Sequence, residues 1–324
     1  MPPQLVIMAE NSTIRIIQRY NEVNFVVKPD GIIDPLAVDY DPRTQYLYYS
    51  DRETHIIGRI SIEVPDNGSV LHSENILEPF GMRIDVNSRL LYWTDAELGT
   101  ISVSNLDGEY RNTIIDTDLN KPGAIVTEPF KGYIYFTDWG SDPKIERAEG
   151  DGKNRLVLVN SDIVSPRSLT IDLEERALYW IDAVTNNLET INFDGTSRKM
   201  LRNLFHETVF SLALDDNAFF CNGYYSPEPE NGYIHLFDRD LQTFGYYVRW
   251  GFGKYYKGIS LRPHRESDAF VPDTCPSADC KGLCLPRPNG HHTCLKGMYC
   301  FETRKNPRRN QLFIYMYGVT TCEY

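Results

Sequence analysis

The stretch Leu91-Tyr92-Trp93-Thr94-Asp95 decides the fold, because variants of it recur along the chain at a nearly constant interval. The copies share an aromatic pair and a final aspartate: Tyr48-Tyr49-Ser50-Asp51, Tyr92-Trp93-Thr94-Asp95, Tyr135-Phe136-Thr137-Asp138 and Tyr179-Trp180-Ile181-Asp182. Their aspartates are 44, 43 and 44 residues apart. A period of this length is typical of a β-propeller, in which each copy forms one four-stranded blade.

Each copy lies in the same local order of predicted strands. A proline-led apolar run, residues 79–86 in the best copy, precedes the aromatic strand, and a third run at 101–108 ends in Asp-Gly. A short fourth run follows at 112–115. The Asp-Gly pairs mark tight turns that need positive φ, at Asp107-Gly108, Asp151-Gly152 and Asp194-Gly195. This order predicts an all-β fold with four strands per repeat.

The two ends of the repeat region predict how the ring closes. Residues 5–10 and 14–17 resemble the second and third strands of a repeat that has no first strand, and residues 256–261 supply the missing strand. A fifth, degraded copy places Cys221 at the threonine position and Asn222 at the aspartate position. Five copies and one composite predict a six-bladed propeller within residues 1–270.

Strand alternation predicts structural roles for the repeated residues. Successive side chains point to opposite faces, so Tyr92 and Trp93 should pack against different neighbouring blades. The final aspartate should accept backbone N–H groups of the loop that follows it. Three first-strand aspartates are interpreted as turn residues at the far end of the strand, namely Asp39, Asp85 and Asp172.

Charge and hydropathy exclude two classes of partner. The formal net charge of −12 argues against nucleic acid, because binding of phosphates requires a basic surface, and it favours basic proteins. No apolar stretch reaches the roughly 18 residues of a spanning helix, and no signal peptide precedes residue 5. We therefore expect no membrane insertion by this chain, which is interpreted as an excised ectodomain or an incomplete sequence.

The cysteines indicate an oxidising compartment. Six of the seven crowd the last fifty residues: Cys275, Cys280, Cys284, Cys294, Cys300 and Cys322. This clustering predicts a disulfide framework, with zinc at Cys280-x3-Cys284 as the alternative. Cys221, which stands alone, is interpreted as a small buried group. Two glycosylation sequons, at Asn11 and Asn67, are compatible with secretion.

The spacing of the first four clustered cysteines resembles that of an EGF-like module, assigned to residues 271–302. The resemblance implies pairing of Cys275 with Cys284 and of Cys280 with Cys294, while Lys296 stands where a fifth cysteine is usual. Cys300 and Cys322 are the two remaining clustered cysteines and are predicted to pair with each other. Residues 303–324 are predicted to be an irregular tail. No calcium is expected, since residues 270–274 lack the acidic consensus.

The repeat and the trailing cysteines resemble the class B repeats of the low-density lipoprotein receptor family. Residues 103–108 and 137–148 are most similar to the low-density lipoprotein receptor-related proteins that act as Wnt co-receptors. The resemblance implies a six-bladed propeller that binds secreted agonists or inhibitors on one face. Ligands of that family often present a segment of the type Asn-x-Ile.

The location of such a face follows from strand geometry. The loop before the first strand and the loop after the second meet at one end of the ring, here called the upper face. Candidate ligand-binding residues there are Asp34, Glu53, Phe80, Glu97, Trp139, Arg167, Phe210, Tyr224 and Tyr256. Rings at Phe80, Trp139 and Tyr224 could bury an apolar ligand residue while Asp34, Glu53 and Glu97 meet a basic flank. The alternative is that Trp139 fills the central channel.

Two residues depart from the co-receptor pattern. Arg167 replaces an asparagine and Gly123 replaces an arginine, which predicts a changed ligand preference. A glycan at Asn11 could cover part of the upper face.

Other functional classes remain open from the sequence. An endocytic receptor that releases cargo at low pH would depend on histidines, and none of the seven recurs in the repeat. A propeller hydrolase would need a metal or a nucleophile with a base, and neither pattern is found. A nidogen-like matrix linker is a further alternative. We expect a monomeric, extracellular, non-enzymatic protein without cofactor or metal.

Overall fold

The structure is a computed structural model of the 324-residue chain. It describes residues 5–10, 12–18, 24–64, 68–204, 207–214, 218–225, 228–239, 244–248, 256–261, 282–296, 301–305 and 312–316. The strands of this part of the chain form six four-stranded antiparallel sheets and two separate hairpins. None of its residues belongs to a helix with the length and apolar character needed to cross a bilayer.

Strands account for nearly all of the regular structure. In chain order they are β1 (Leu5–Glu10), β2 (Thr13–Gln18), β3 (Asn24–Val27), β4 (Pro35–Asp41), β5 (Tyr46–Asp51), β6 (Ile56–Ser61), β7 (Gly68–His72), β8 (Pro79–Asp85), β9 (Leu90–Asp95), β10 (Thr100–Asn105), β11 (Arg111–Ile115), β12 (Pro122–Glu128), β13 (Tyr133–Asp138), β14 (Lys144–Glu149), β15 (Leu156–Val159), β16 (Pro166–Asp172), β17 (Ala177–Asp182), β18 (Asn187–Asn192), β19 (Lys199–Asn203), β20 (Glu207–Leu214), β21 (Ala218–Tyr225), β22 (Glu228–Asp238), β23 (Phe244–Val248), β24 (Tyr256–Leu261), β25 (Gly282–Pro286), β26 (His292–Lys296), β27 (Phe301–Lys305) and β28 (Leu312–Met316). A single 3₁₀ turn, Pro288–Gly290, separates β25 from β26.

The six-bladed prediction is confirmed. Blades 1 to 5 are β4–β7, β8–β11, β12–β15, β16–β19 and β20–β23, and blade 6 has the strand order β24-β1-β2-β3. The composite blade pairs strands from both ends of the repeat region, with Met8 opposite Ile259. The predicted Asp-Gly turns are present as well, since Gly108 and Gly152 have φ of 77° and 81°.

The predicted alignment of the fifth copy is wrong by one residue. Cys221 lies opposite Leu212, as Trp180 lies opposite Leu169 in blade 4. Gly223 therefore takes the position of the repeated aspartate, and Cys221 that of the tryptophan. Cys221 is completely buried, which confirms it as a small core group.

The alternation of side chains along β21 explains why the observed alignment of the fifth copy differs by one residue from the predicted one. A slip of one residue would turn every side chain to the opposite blade. In the structure Phe219 and Cys221 pack towards blade 4, while Phe220 packs towards blade 6. Asn222 consequently occupies the threonine position, fully buried.

The aromatic pair of the repeat joins blades as predicted. Tyr92 packs with Ile125 and Phe136 of blade 3, whereas Trp93 packs with Tyr48 of blade 1. Tyr92 and Trp93 are both completely buried. Burial of an aromatic side chain removes on the order of 150 to 250 Å2 from water, so each copy seals two interfaces between blades.

The terminal aspartate ties together two loops at the upper end of its blade. Asp95 accepts backbone N–H groups from Glu97 and Leu98 of the following loop, as predicted, at 3.2 and 3.0 Å. It also accepts those of Leu77 and Glu78, which precede the first strand, at 2.8 and 3.1 Å. The same arrangement surrounds the other three repeated aspartates, Asp51, Asp138 and Asp182.

Two of the three predicted turn aspartates are confirmed. Asp85 accepts the N–H of Asn87 at 3.0 Å, and Asp172 accepts that of Glu174 at 2.9 Å. The interpretation of Asp39 is wrong, because Asp41 occupies the equivalent position at the end of β4. The same bulge follows the proline of β4 and that of β8, so Asp41 and Asp85 lie at the same distance along the strand from their prolines.

Asp39 instead connects three blades. It accepts the hydroxyl of Ser260 in blade 6 at 2.8 Å and the N–H of Ile84 in blade 2 at 2.8 Å. The residue is nearly inaccessible to solvent. Asp39 therefore fastens the composite blade to blades 1 and 2.

The hairpin of β25 and β26 packs on the lower end of blades 2 and 3. Leu283 and Leu285 are buried in the same cluster as Tyr92. Arg287 Nε lies 2.5 Å from Glu149 Oε2 at the edge of this contact. The lower end is thus partly covered.

The predicted module boundaries remain predictions. Cys284 and Cys294 each take part in a disulfide bond. The other clustered cysteines, Cys275, Cys280, Cys300 and Cys322, lie outside the residues whose side chains are described, and so do both sequons, Asn11 and Asn67. Within the tail predicted to be irregular, β28 pairs with β27, because residues 312–316 are strong strand formers.

Candidate ligand-binding face

The upper face is formed as strand geometry predicts. Pro79 at the start of β8 lies opposite Asp95 at the end of β9, and Pro122 lies opposite Asp138 in the next blade. The loops before the first strands and after the second strands therefore meet at one end of the ring. Lys121 connects two of the candidates, because its carbonyl accepts the N–H of Trp139 and its ammonium binds Glu97.

Trp139 is the centre of an aromatic and cationic cluster on this face. Its ring lies 6.0 Å from the ring of Phe80 at an interplanar angle of 46°. The guanidinium carbon of Arg167 lies 4.2 Å from the centroid of the Trp139 ring. The cluster brings together three candidate residues from blades 2, 3 and 4.

The absence of a side chain at Gly123 leaves room for the ring of Trp139 in this cluster. A Cβ at Gly123 would lie 3.0 Å from Cδ1 of Trp139 and 2.6 Å from Oγ1 of Thr137. Any side chain at this position would displace the ring. The glycine that departs from the co-receptor pattern is therefore required by the position of Trp139.

A central channel opens beside the cluster. Its cavity has a volume of about 240 Å3 and is lined by the first strands of the blades. Leu36, Phe80, Arg167 and Phe210 line it at the upper end, whereas Trp139 does not line it. The alternative in which Trp139 fills the channel is therefore not supported.

The strand register changes which positions of the repeat two of the candidate residues occupy. Pro35 pairs with Asp51, which places Leu36, not Asp34, at the position of Phe80. Tyr256 pairs with Glu10 and takes the position of the proline. Asp34 nevertheless lies at the upper end, where its carbonyl accepts the N–H of Arg52. For Tyr224 and Tyr256 the backbone is described and the side chain lies outside the described residues.

Two of the three predicted carboxylates have cations from the chain itself. Asp34 binds Arg52 at 2.5 Å, and Glu97 binds Lys121 at 2.7 Å. The hydrogen bond from Lys121 lowers the pKa of Glu97. Glu53 is exposed and has no ion-pair partner among the described residues. Of the three carboxylates expected to meet a basic ligand, Glu53 is therefore the one without an intrachain cation among the described residues.

A metal-binding function has no support in the geometry of the described residues. Within them, no three His, Cys, Asp or Glu side chains are grouped closely enough to hold an ion.

Comparison with known proteins identifies the repeat. The family model described as low-density lipoprotein receptor repeat class B matches residues 89–126 and 132–173. The chain carries low-density lipoprotein receptor class B repeats. The matched regions include the aromatic strands of blades 2 and 3 and the first strand of blade 4, and the class B repeat accounts for the Tyr-Trp-Thr-Asp pattern.

Two curated proteins are similar to this chain in sequence. The vitellogenin receptor of Solenopsis invicta is 31% identical over 204 residues, which cover 60% of this chain and 10% of that protein. The human low-density lipoprotein receptor-related protein 5-like protein is 39% identical over 101 residues, which cover 31% of this chain and 40% of that protein. The chain thus spans less than half of either relative.

Two solved structures are similar to this chain in fold. A chain in the nidogen/laminin complex has a TM-score of 0.71 and 25% identity, covering 80% of this chain and 98% of that chain. TolB from Acinetobacter baumannii, with a TM-score of 0.64 and 12% identity over 81% of this chain and 67% of that one, shows the fold alone. One sequence relative is named as a receptor and the other as a receptor-related protein, and neither name denotes an enzyme, in agreement with the non-enzymatic prediction.

Proposed function

We propose that this chain is the extracellular ligand-binding module of a low-density lipoprotein receptor-related receptor, which binds secreted proteins on its upper face. The observation that carries the proposal is the cluster of Phe80, Trp139 and Arg167. Aromatic and arginine side chains on a partly buried, concave surface are the usual anchors of protein interfaces. Secreted agonists or inhibitors of Wnt signalling are the proposed ligands.

The two ends of the ring differ in accessibility. The β25–β26 hairpin covers part of the lower end, with Leu283 and Leu285 buried there. The upper face retains exposed apolar residues in three equivalent loops, namely Ile33, Leu77 and Val164. A protein ligand would extend from the central cluster over this apolar rim. Disulfide-bonded Cys284 and Cys294 favour an extracellular location, and the EGF-like module is part of the proposal.

The test compares two aromatic residues at opposite ends of the ring. Trp139→Ala removes the central ring, whereas Phe130→Ala removes a ring that is 61% exposed in the turn between β12 and β13 at the lower end. Purified wild type and variants would be titrated with a panel of secreted Wnt agonists and inhibitors by biolayer interferometry. We expect binding to weaken at least about tenfold for Trp139→Ala, near 1.4 kcal/mol, and to be unchanged for Phe130→Ala.

Two results contradict the proposal in different ways. Equal binding by all three proteins would place the ligand elsewhere on the propeller. Absence of binding to every member of the panel would remove the Wnt assignment, and the two alternatives would then be tested.

The endocytic alternative depends on histidines that gain charge between pH 7.4 and 5.5. Burial and then the charge of Arg111 lower the pKa of His72 to about 4. Burial also lowers the pKa of His292. Neither histidine favours release of cargo in that range, and a ligand complex with equal affinity at both pH values would exclude the alternative.

The matrix-linker alternative has one specific observation in its favour, the 25% identity to a chain of the nidogen/laminin complex over 80% of this chain. Titration with laminin separates this alternative from the receptor. Tight binding to laminin that Trp139→Ala abolishes would favour the linker.

A further inference from the structure

Arg167 is a cation at the centre of the upper face, and no carboxylate of the described residues is paired with it. It follows Pro166 in β16 and lines the upper mouth of the channel beside Phe80. Its Nε donates to Ser165 Oγ at 3.1 Å. Among the described residues, no carboxylate lies within ion-pair distance of its guanidinium group, and the two Nη atoms have no acceptor. The positive charge is thus available to a ligand.

Other cations of the same face are already paired. Arg52 binds Asp34 at 2.5 Å, and Lys121 binds Glu97 at 2.7 Å. Both pairs join side chains at the rim. Arg167 therefore differs from them in charge balance as well as in its central position.

Two other arginines that stack on rings show what Arg167 lacks. Arg198 stacks on Trp180 and binds Glu189 at 2.8 Å. Arg155, which lies over Phe136, binds Glu146 at 2.5 Å. In both places one face of the guanidinium meets a ring and one edge meets a carboxylate. Two more, Arg111 and Arg147, are stacked without an ion pair among the described residues, and their guanidinium groups donate to backbone carbonyls instead. At Arg167 the ring of Trp139 is present, and the part of the chain that the structure describes places no carboxylate against the guanidinium.

The geometry favours a bidentate acceptor. A guanidinium held against an aromatic ring has lost much of its rotational freedom before a ligand arrives, so the entropic cost of binding is small. Its outer edge presents two parallel N–H donors, which match the two oxygens of a carboxylate. The rings of Phe80 and Trp139 beside it offer an apolar surface for a neighbouring ligand side chain.

We propose that the ligand of the upper face is a protein loop that places an Asp or Glu carboxylate on Arg167 and an adjacent apolar side chain against Phe80 and Trp139. This inference rests on the proposed function, since it specifies what that same face recognises. It replaces the neutral amide expected from the family resemblance with an acidic group. The carboxylate comes from a side chain within the loop.

The probe is a phage-displayed library of disulfide-cyclised heptapeptides, selected against the full chain. Selected peptides are then synthesised in cyclic, C-terminally amidated form, which excludes binding through a free terminal carboxylate. Each peptide is made in three versions that carry Asp, Asn or Lys at the acidic position. Affinities are measured by isothermal titration calorimetry.

Three variants of the protein define the site. Arg167→Gln removes the charge and keeps a side chain of similar length. Trp139→Ala removes the ring. Arg43→Gln is the matched control, because Arg43 is exposed in the turn after β4 at the opposite end. Thermal unfolding of each variant establishes that it is folded before binding is measured.

The expected result is a recurrent acidic residue next to an apolar one. The Asp-to-Asn change in the peptide should weaken binding to wild type at least tenfold and have little effect on binding to Arg167→Gln, while Arg43→Gln behaves as wild type. Some peptides could lose affinity for Trp139→Ala and bind Arg167→Gln as tightly as wild type. That result would overturn this inference and leave the proposed function intact. Peptides insensitive to Trp139→Ala, or a selection without binders, would count against both.

Discussion

The hydroxyl of Thr94 lies 2.6 Å from the carbonyl oxygen of Gly123 in the next blade and donates a hydrogen bond to it. The same hydroxyl accepts the N–H of Gly81 within its own blade at 2.9 Å. Ser50 repeats the arrangement one blade earlier, with Ala37 and Pro79 as its partners. The hydroxyl position of the class B repeat therefore connects the first strands of successive blades, directly around the channel.

Removal of this hydroxyl should destabilise the propeller. Thr94→Val keeps the shape of the side chain and leaves two buried backbone groups without a partner, so we expect a loss of about 2 to 6 kcal/mol in the free energy of unfolding, about 1 to 3 kcal/mol for each group. Thr94→Ser keeps the hydroxyl and loses one methyl group, for about 1 kcal/mol. Urea unfolding followed by tryptophan fluorescence measures both. A valine variant as stable as the serine variant would contradict the assigned role.

Asp39 should contribute to ring closure. Asp39→Ala deprives Ser260 and the N–H of Ile84 of a buried charged acceptor, and hydrogen bonds to charged groups contribute about 1.5 to 3 kcal/mol each. We expect a clear decrease in Tm for Asp39→Ala. Glu53→Ala, which removes an exposed carboxylate, should leave the free energy of unfolding within about 0.5 kcal/mol of wild type.

A double-mutant cycle identifies the contact itself. Ser260→Ala should cost less alone than Asp39→Ala, and the two losses should not add, because both remove the same hydrogen bond. Additive losses would show that the closing role assigned to this pair is wrong.

The parts of the fold that were predictable from sequence depend on local spacing. Tyr92, Trp93 and Asp95 follow from the alternation of one strand and from one turn, so their roles were assigned correctly. The position of Cys221 was missed because the fifth copy retains the aromatic residues and lacks the aspartate that fixes the alignment. Asp39 was misassigned because β4 contains two aspartates, Asp39 and Asp41, and only Asp41 has the spacing from the proline that Asp85 and Asp172 have in β8 and β16.

The candidate face was only partly predictable for a different reason. Strand polarity places Phe80, Trp139 and Arg167 at one end of the ring, and this placement can be predicted from the sequence. The contact of Arg167 with Trp139 and the pairing of Glu97 with Lys121 cross from one blade to the next. Such contacts depend on the angle between neighbouring sheets, and the spacing of residues in the sequence does not indicate that angle.

Buried His72 should make the stability depend on pH. It stacks on Trp93 at 5.1 Å, and burial, together with Arg111, lowers its pKa to about 4, against about 6.5 in the unfolded chain. The unfolded state therefore binds the proton first, so stability is complete above pH 6.5 and is lost as the pH falls towards 4. At pH 5 the expected loss is about 2 kcal/mol.

Replacement by an uncharged ring isolates this contribution. His72→Phe keeps the stacking on Trp93 and cannot be protonated, so its loss of unfolding free energy between pH 7.5 and 5 should be smaller than that of wild type by about 2 kcal/mol. Urea titrations at the two pH values measure the difference. Parallel losses in the two proteins would mean that His72 is not the group that titrates.

Contact between the propeller and the β25–β26 hairpin depends on the absence of a side chain at Gly150. A Cβ there would lie 2.5 Å from the carbonyl oxygen of Pro286, which is backbone and cannot rotate away. Gly150→Ala should therefore displace the hairpin and increase hydrogen exchange of the amides in residues 282–296. Gly68→Ala is the matched control, since its nearest neighbours would be at an ordinary 3.7 Å. Because the hairpin lies at the lower end, ligand binding on the upper face should be the same for both variants, and unchanged exchange in Gly150→Ala would argue that the hairpin does not dock through this contact.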